Sequence, residues 1–349
     1  MIEAVLRSVR HVGRPLTTIF PHAEGGGCGI YFDAGALQFV RLMRVSGPAR
    51  FRLDAYGAVP LDDDVLRGAM LAKPEAAARR LEELLERLER EAHVLRHDTI
   101  LLALPAHVLK THVVDYPPDM PARALRAWCE RRAALLLPGD LPAGARQRVG
   151  VTWAEPGSHR LRLYACEAEW VDDRVAALEM AGLRAHAVDV AHTAGRRAFQ
   201  WAWPVQAASD SAGAARESAA LLQIGAHDLD IAVFAAGTCV ADLRERFDGG
   251  NTHPEALGSV VRELLRKLPV SAGSLHLSVQ GATPGTFAAI CDALTASCGL
   301  PLRPFDPFTR FDGVSVLAHR RETFAHRSSF AVACGLALRA MSMRGVSWE

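Results

Sequence analysis

Glycines divide the stretch from Ala220 to Asn251 into a succession of short strands, and this order constrains the fold more than any other feature of the chain. Ala220-Leu221-Leu222-Gln223-Ile224-Gly225 is an apolar strand that runs into a glycine. Asp230-Ile231-Ala232-Val233-Phe234 reads as a second strand, Ala235-Ala236-Gly237 as its turn and Thr238 to Arg246 as a third. The run closes on Phe247-Asp248-Gly249-Gly250-Asn251, whose paired glycines allow a sharp turn or a close backbone approach to a ligand. A helix signal, Glu255 to Leu268, follows almost at once.

The chain opens on a similar device. Cys28-Gly29-Ile30-Tyr31-Phe32-Asp33-Ala34-Gly35-Ala36-Leu37-Gln38-Phe39-Val40-Arg41-Leu42 is a glycine-bearing hairpin, by itself compatible with an ordinary turn that holds no ligand. Each half also carries a long helix. Pro74 to Val94 places Ala78, Leu81, Leu85, Leu88 and Ala92 on one face, with Arg79, Glu82, Glu83, Glu86, Arg87 and Arg90 as a solvated charged side. Between residues 105 and 187 the pattern is an α+β unit. Pro121 to Leu137 reads as a helix with Leu125, Trp128, Cys129 and Leu135 available to pack, and 148–153 and 160–166 alternate as paired strands. Residues 207–217, rich in Ala, Ser and Gly, read as a flexible connection between the halves.

Composition excludes several functions. The 349 residues suffice for two core-forming units, and a formal charge of +1 provides no global attraction to nucleic acid or membrane. Seven scattered cysteines form no Cys-x-x-Cys pair, which argues against zinc and dithiol redox chemistry and for reduced buried thiols in a cytoplasmic protein. No apolar run reaches the length of a bilayer span. Met1 to Phe20 alternates small apolar residues with Arg7, Arg10 and Arg14, and reads as a short arm rather than a membrane-surface helix.

Laid side by side, these segments resemble the actin-like ATPase superfamily in its FtsA/PilM branch. The 220–251 run is similar to the second phosphate-loop region of that superfamily, with Gln223 where an aspartate holds magnesium or its water; a neutral amide is a poor ligand for a hard dication. The opening hairpin resembles that of PilM, a type IV pilus assembly protein, and of FtsA, with Tyr31 replacing an aspartate, Asp33 a glycine and Gln38 a lysine. Gly35 restores some backbone freedom, but Asp33 at the tight turn would repel a phosphate. Four further segments keep the family order. They are the strands 51–61 and 99–117, the helix Asp172 to Leu183 with Val188-Asp189-Val190 after it, and the carboxy-terminal Ala333-Cys334-Gly335-Leu336-Ala337. In the last glycine-rich strand only Gly281 remains, interrupted by Gln280.

The resemblance implies an α/β, actin-like (ribonuclease H-like) two-domain fold with an inserted FtsA/PilM-type α+β subdomain. The expected units are an arm at 1–27 and a first actin-like domain at 28–206, with the insertion at about 105–187. A linker at 207–217 and a second domain at 218–349 with a shortened helical subdomain complete the chain. The degenerate cleft comprises Tyr31, Asp33, Gly35, Gln38, Gln223, Gly225, Gly249, Gly250, Asn251, Gln280 and Gly281, so no cofactor is expected, the alternative being weak ATP with magnesium. The implied role is a non-catalytic cytoplasmic adaptor, peripheral to the inner membrane, that takes the tail of a PilN-like bitopic protein and contacts other pilus assembly proteins. The tail would lie in a groove formed by Lys110, His112, Val114, Leu125, Trp128 and Leu135. A cytoplasmic GspL-like component of type II secretion is the close alternative, although such proteins continue into a transmembrane segment and this chain ends at Glu349 without one.

Other side-chain sets have simpler explanations. Asp62-Asp63-Asp64 suits a helix start better than a metal, His93 and His97 suit the end of the long helix, and Asp189 with His192 lacks a nucleophile motif.

Overall fold

The computed structural model describes residues 25–33, 35–46, 50–68, 70–90, 94–117, 119–135, 147–153, 159–203, 218–247, 253–280, 284–312 and 324–343. The arm before residue 25, the whole of the expected linker, His93 and Asp248 lie outside them.

In chain order the first half contains β1 (Gly27–Asp33), β2 (Ala36–Arg44), β3 (Phe51–Pro60), a small hairpin of β4 (Leu66–Arg67) and β5 (Met70–Leu71), α1 (Pro74–Arg87) and β6 (Thr99–Leu104). Then come β7 (Lys110–Asp115), α2 (Ala122–Ala134), β8 (Gln147–Trp153), β9 (Arg160–Glu167), α3 (Ala168–Met180), β10 (Ala187–Val190) and α4 (Ala191–Ala202). The second half has β11 (Ala219–Ile224), β12 (Asp228–Ala235), β13 (Thr238–Arg246), α5 (Pro254–Lys267), β14 (Ser274–Val279), α6 (Pro284–Cys298), β15 (Leu302–Pro304), α7 (Phe324–Ser329) and α8 (Ala331–Met343).

The two large sheets repeat one plan. Their orders are β10-β6-β1-β2-β3 and β13-β12-β11-β14-β15. In each, the first strand pairs antiparallel with the next and parallel with the strand that returns after a helix, β1 with β6 and β11 with β14. Strands with helices on both faces are mostly apolar, and all seven residues of β1 and all six of β11 are buried, Asp33 and Gln223 among them. One core lies between the first sheet and α1 and α3, another between the second sheet and α5 and α6, and a third joins the halves around α4 and α8. Between β6 and α3 stands a separate sheet of order β7-β9-β8, covered on one face by α2 through Leu125, Cys129, Leu161 and Leu163.

Three local expectations change. The long helix ends at Arg87 rather than Val94: Arg90 N–H bonds back to Leu85 O, Glu89 turns left-handed (φ 54°), and the Arg90 guanidinium leaves the solvent face to reach Asp54 at 3.1 Å. The three aspartates precede the β4–β5 hairpin, not a helix, and Asp62 and Asp64 pair with Arg80 and Lys73. Unit boundaries also shift in space. Although α3 belongs by sequence to the insertion, it packs with α1 and the first sheet, and α8, counted with the second half, packs on β1, β2 and β6.

The packing of α8 follows from small residues. Ten of its residues, from Ala331 to Met341, are buried, as befits a helix enclosed on all sides. A Cβ placed on Gly29 of β1 would stand 2.0 Å from Ala333 O, and one on Gly335 of α8 would stand 1.7 Å from Ala194 O of α4. Backbone therefore meets backbone at both contacts. Asp189, at the start of this junction, accepts Arg197 at 3.1 Å and Arg339 at 2.7 Å; burial would raise its pKa, but the two guanidiniums hold it far below the usual carboxylate range.

Gly335→Ala is expected to cost about 2 kcal/mol or more in urea unfolding, because the added methyl has no route past the α4 backbone. Gly285→Ala, where a Cβ meets nothing within 4 Å, is the control and should leave stability unchanged or slightly raised.

Candidate functional site

The β1–β2 and β11–β12 turns face each other across a cleft between the halves. Gly35 takes φ 85° to turn the first, and Gly225, whose N–H bonds to Asp228 O, begins the second. The walls include Tyr31, Asp33, Pro105, His107, Asp228 and Gln280, and they leave about 20 Å³ of free space. That holds roughly one water molecule, whereas drug-sized ligands need several hundred Å³. Two contacts cross it among the described residues. The Tyr31 hydroxyl donates to Gln280 Oε1 at 3.2 Å, and His107 meets His227 edge-on with ring centroids 4.8 Å apart.

Burial and nearby charge act on Tyr31 and His107 in these contacts. Burial, then Asp33 and Asp228, push the Tyr31 phenol well above its ordinary pKa, so it remains a neutral donor. His107 is pushed down to about 4 by burial, then by His227 and nearby arginines. Asp228 moves the other way, up to about 6, because of burial and then the charge of Asp230. Arg174, fully buried behind Tyr31 on α3, donates to Trp170 O at 2.9 Å, and burial lowers its pKa to about 10.

Beneath the second turn, Gln223 enters the space that Gly195 of α4 leaves: a Cβ on Gly195 would lie 1.7 Å from Gln223 Oε1. Its Nε2 donates to His192 O at 3.0 Å and to Asp230 Oδ2 at 3.1 Å. Arg196, one residue beyond that glycine, grips Asp230 through Nε at 3.0 Å and also reaches Asp242 at 2.9 Å. Burial would raise the pKa of Asp230, but Arg196 more than offsets it and the carboxylate is held below its ordinary value. His192 is buried and its pKa falls to about 4, so it stays neutral. This donor set does not suit magnesium: the amide of Gln223 is turned to donate, and the carboxylate beside it is already neutralised by a guanidinium.

The residues singled out from the sequence thus divide. Tyr31, Asp33, Gly225 and Gln280 line the cleft, Gly35 shapes its edge, and Gln223 lies behind it under α4. Gln38 is buried in β2 opposite Tyr31, and its Oε1 has no hydrogen-bond partner among the described residues. Gly249, Gly250, Asn251 and Gly281 lie outside those residues. On the inserted unit, Lys110, His112 and Val114 share the α2-side face of β7, a strand at the edge of its sheet. Leu125 is buried in the core beneath α2 and offers no groove surface, because it packs on Leu161 and Leu163. Trp128 is half-buried, with the Arg132 guanidinium 5.4 Å over its ring, and Leu135 is 65% exposed.

Sequence reasoning passed over Arg196, Asp230, Asp242, His107 and His227. One signal was present: Arg196-Arg197 sits in an otherwise small and apolar helix, and buried guanidiniums require carboxylate partners.

A sequence profile of the family described as type IV pilus assembly protein PilM matches residues 29–262. No curated protein sequence matches. Among solved structures, the PilM-PilN type IV pilus biogenesis complex is similar with 20% identity and a TM-score of 0.66, covering 92% of this chain and 99% of that one. The ethanolamine utilization protein EutJ from Carboxydothermus hydrogenoformans follows at 11% identity and TM-score 0.47, covering 96% and 94%. The cytoplasmic domain of EpsL, an inner membrane component of the type II secretion system of Vibrio cholerae, reaches 11% and 0.39, covering 74% and 84%. The first of these establishes the actin-like fold. No helix among the described residues is long and apolar enough to cross a membrane.

The raised pKa of Asp228 has a definite sign. The folded state binds this proton more tightly than the unfolded chain, so the cost of ionising Asp228 is fully present above pH 6 and disappears as pH falls below its ordinary value of 3.8. Asp228→Asn is therefore expected to be about 1–2 kcal/mol more stable than the parent at pH 7.5 and equal to it near pH 3. Comparing the two proteins by urea unfolding at each pH cancels the buried histidines, which titrate in both.

Proposed function

The chain belongs to the type IV pilus assembly protein PilM family, and from that premise we propose that it is a non-catalytic adaptor of a pilus inner-membrane assembly complex. The observation that carries this reading is internal pairing at the positions where the family resemblance would place metal and nucleotide. Gln223, Asp230, Arg196 and Asp242 satisfy one another, while Tyr31 and Gln280 bond across the space a nucleotide would need. In such a protein the cleft no longer cycles with hydrolysis; it holds the two halves in one relation.

Its partner is the cytoplasmic tail of a PilN-like single-span protein, through which the adaptor sits at the membrane. The proposed docking place is the free edge of β7 beside α2. An edge strand offers unpaired N–H and C=O groups to an extended peptide. Val114, Trp128 and Leu135 supply apolar contacts along it, with Lys110 and His112 exposed at one end.

Calorimetry with MgATP should yield no binding, or a dissociation constant weaker than about 1 mM. A micromolar constant would remove the non-catalytic part of the reading and leave the groove untouched.

For the groove, the probe is a synthetic peptide of the cytoplasmic tail encoded by a neighbouring single-span gene. Trp128→Ala should weaken its binding at least tenfold, about 1.4 kcal/mol. Because Trp128 is partly packed, Leu135→Asp is the companion: an exposed site whose substitution leaves thermal stability unchanged. Unaltered peptide affinity in both variants would move the site elsewhere.

A further inference from the structure

The inserted sheet is fastened to the first half by chain continuity and by Tyr164 and Cys166, which are buried in the first-half core, and to the second half by charge. β9 runs directly into α3, since Glu167 is followed by Ala168 with no intervening loop, and Arg148 of β8 holds Asp172 of α3 at 2.7 Å. On the other side, Arg162 of β9 approaches Asp242 of β13 at 3.8 Å, with the two side chains 28% and 33% exposed. The same Asp242 is held more closely, at 2.9 Å, by Arg196 of α4, which in turn grips Asp230 of β12. One line of ion pairs thus connects the β7-β9-β8 sheet, the second-half hairpin and the helix between the halves.

The links are unequal. Arg196 and Asp230 are buried and bonded at two points, so they form a fixed base. Arg162–Asp242 is longer and partly solvated, which makes it the link that breaks first. Arg162 lies on the sheet face opposite α2: its neighbours Leu161 and Leu163 point into the core beneath α2, and its cross-strand partners are Val113 and Thr152. Breaking the link leaves the core beneath α2 covered, and Tyr164 and Cys166, further along the same face of β9, stay packed in the first-half core. The sheet is therefore anchored at its Glu167 end, and its Arg162 end is the part that can swing while the packing against α2 persists.

We propose that Arg162–Asp242 is a salt-sensitive latch that sets the angle of the inserted sheet against the second half, and that Arg162 and Asp242 are positioning residues for the edge of β7. The latch stands on this chain's own contacts. Its consequence for a bound peptide rests on the adaptor reading, so the test uses no partner and the two can fail separately.

Spin labels on ketone-bearing residues, replacing Asp115 on the inserted sheet and Glu245 on β13, report the angle as a distance distribution by pulsed electron resonance. Both positions are exposed, and ketone chemistry leaves the seven cysteines unlabelled. The parent protein at low salt should give one narrow distribution. Arg162→Gln should raise the ratio of displaced to latched molecules about two- to fivefold, the weight of a partly exposed ion pair. Asp242→Asn should do the same, and the double variant should add nothing to either. Arg162→Lys should restore the narrow distribution, and 1 M NaCl should displace the parent while leaving Arg162→Gln unchanged. The proposal is overturned if Arg162→Gln matches the parent. It is also overturned if the double variant displaces more molecules than either single variant, which would mean that the two residues act separately.

Discussion

Backbone contact between α8 and its two neighbours is the constraint on which the rest of the structure depends. Gly29 lets β1 lie against Ala333, and Gly335 lets α8 lie against Ala194 of α4. A helix seated this closely on both the first sheet and the connecting helix joins the halves as part of one core, not across an exposed interface. Interiors packed at this density resist small displacements. The buried Asp189, shared by Arg197 and Arg339, adds direction to what would otherwise be a smooth contact of alanines. Apolar burial brings these elements together, and the ion triad selects their register.

With the halves held from below by α8, the cleft above no longer needs a ligand to define it. Tyr31 and Gln280 supply a direct bond where a cleft of this fold offers room, and His107 packs on His227 beside them. Beneath, Arg196 occupies the electrostatic role that a bound cation would have toward Asp230 and Asp242. A guanidinium tethered to α4 cannot dissociate, whereas a metal can. Removing one member of such a buried set typically costs 3–5 kcal/mol because the remaining charge is stranded. In the proposed adaptor role, this permanence would keep the shape independent of nucleotide supply.

Rigidity is not uniform. Charges within the core are paired at short range and insulated from solvent, while those tying the inserted sheet to the second half are half-exposed and open to screening. The partner surface proposed above belongs to this charge-tied sheet, on a strand whose outer edge is unpaired within its sheet. Binding surfaces are commonly drawn from such regions, because adding a strand there disturbs little that is already packed.

Local periodicity and glycine placement determined a good deal. The two glycine-bearing hairpins, the strand pairs of the inserted unit and the amphipathic α1 all form where the residues indicate, because each depends on neighbours within a few positions. That Tyr31 and Gln223 stand where the resemblance implies carboxylates was likewise visible in the one-dimensional order. What replaced them was not. Tyr31 and Gln280 are 249 residues apart, and Arg196 lies 34 residues from Asp230 on a helix whose composition gives no register to the hairpin. The early end of α1 at Arg87 was equally hidden, since Arg90 leaves the helix for an aspartate on another strand. The assignment of α8 to the first sheet, and of Leu125 to a core instead of a groove, also awaited the packed molecule. A sequence states which residues prefer to be buried and which carry charge; only the close approach of distant backbone decides which buried face meets which, and which charge finds its partner.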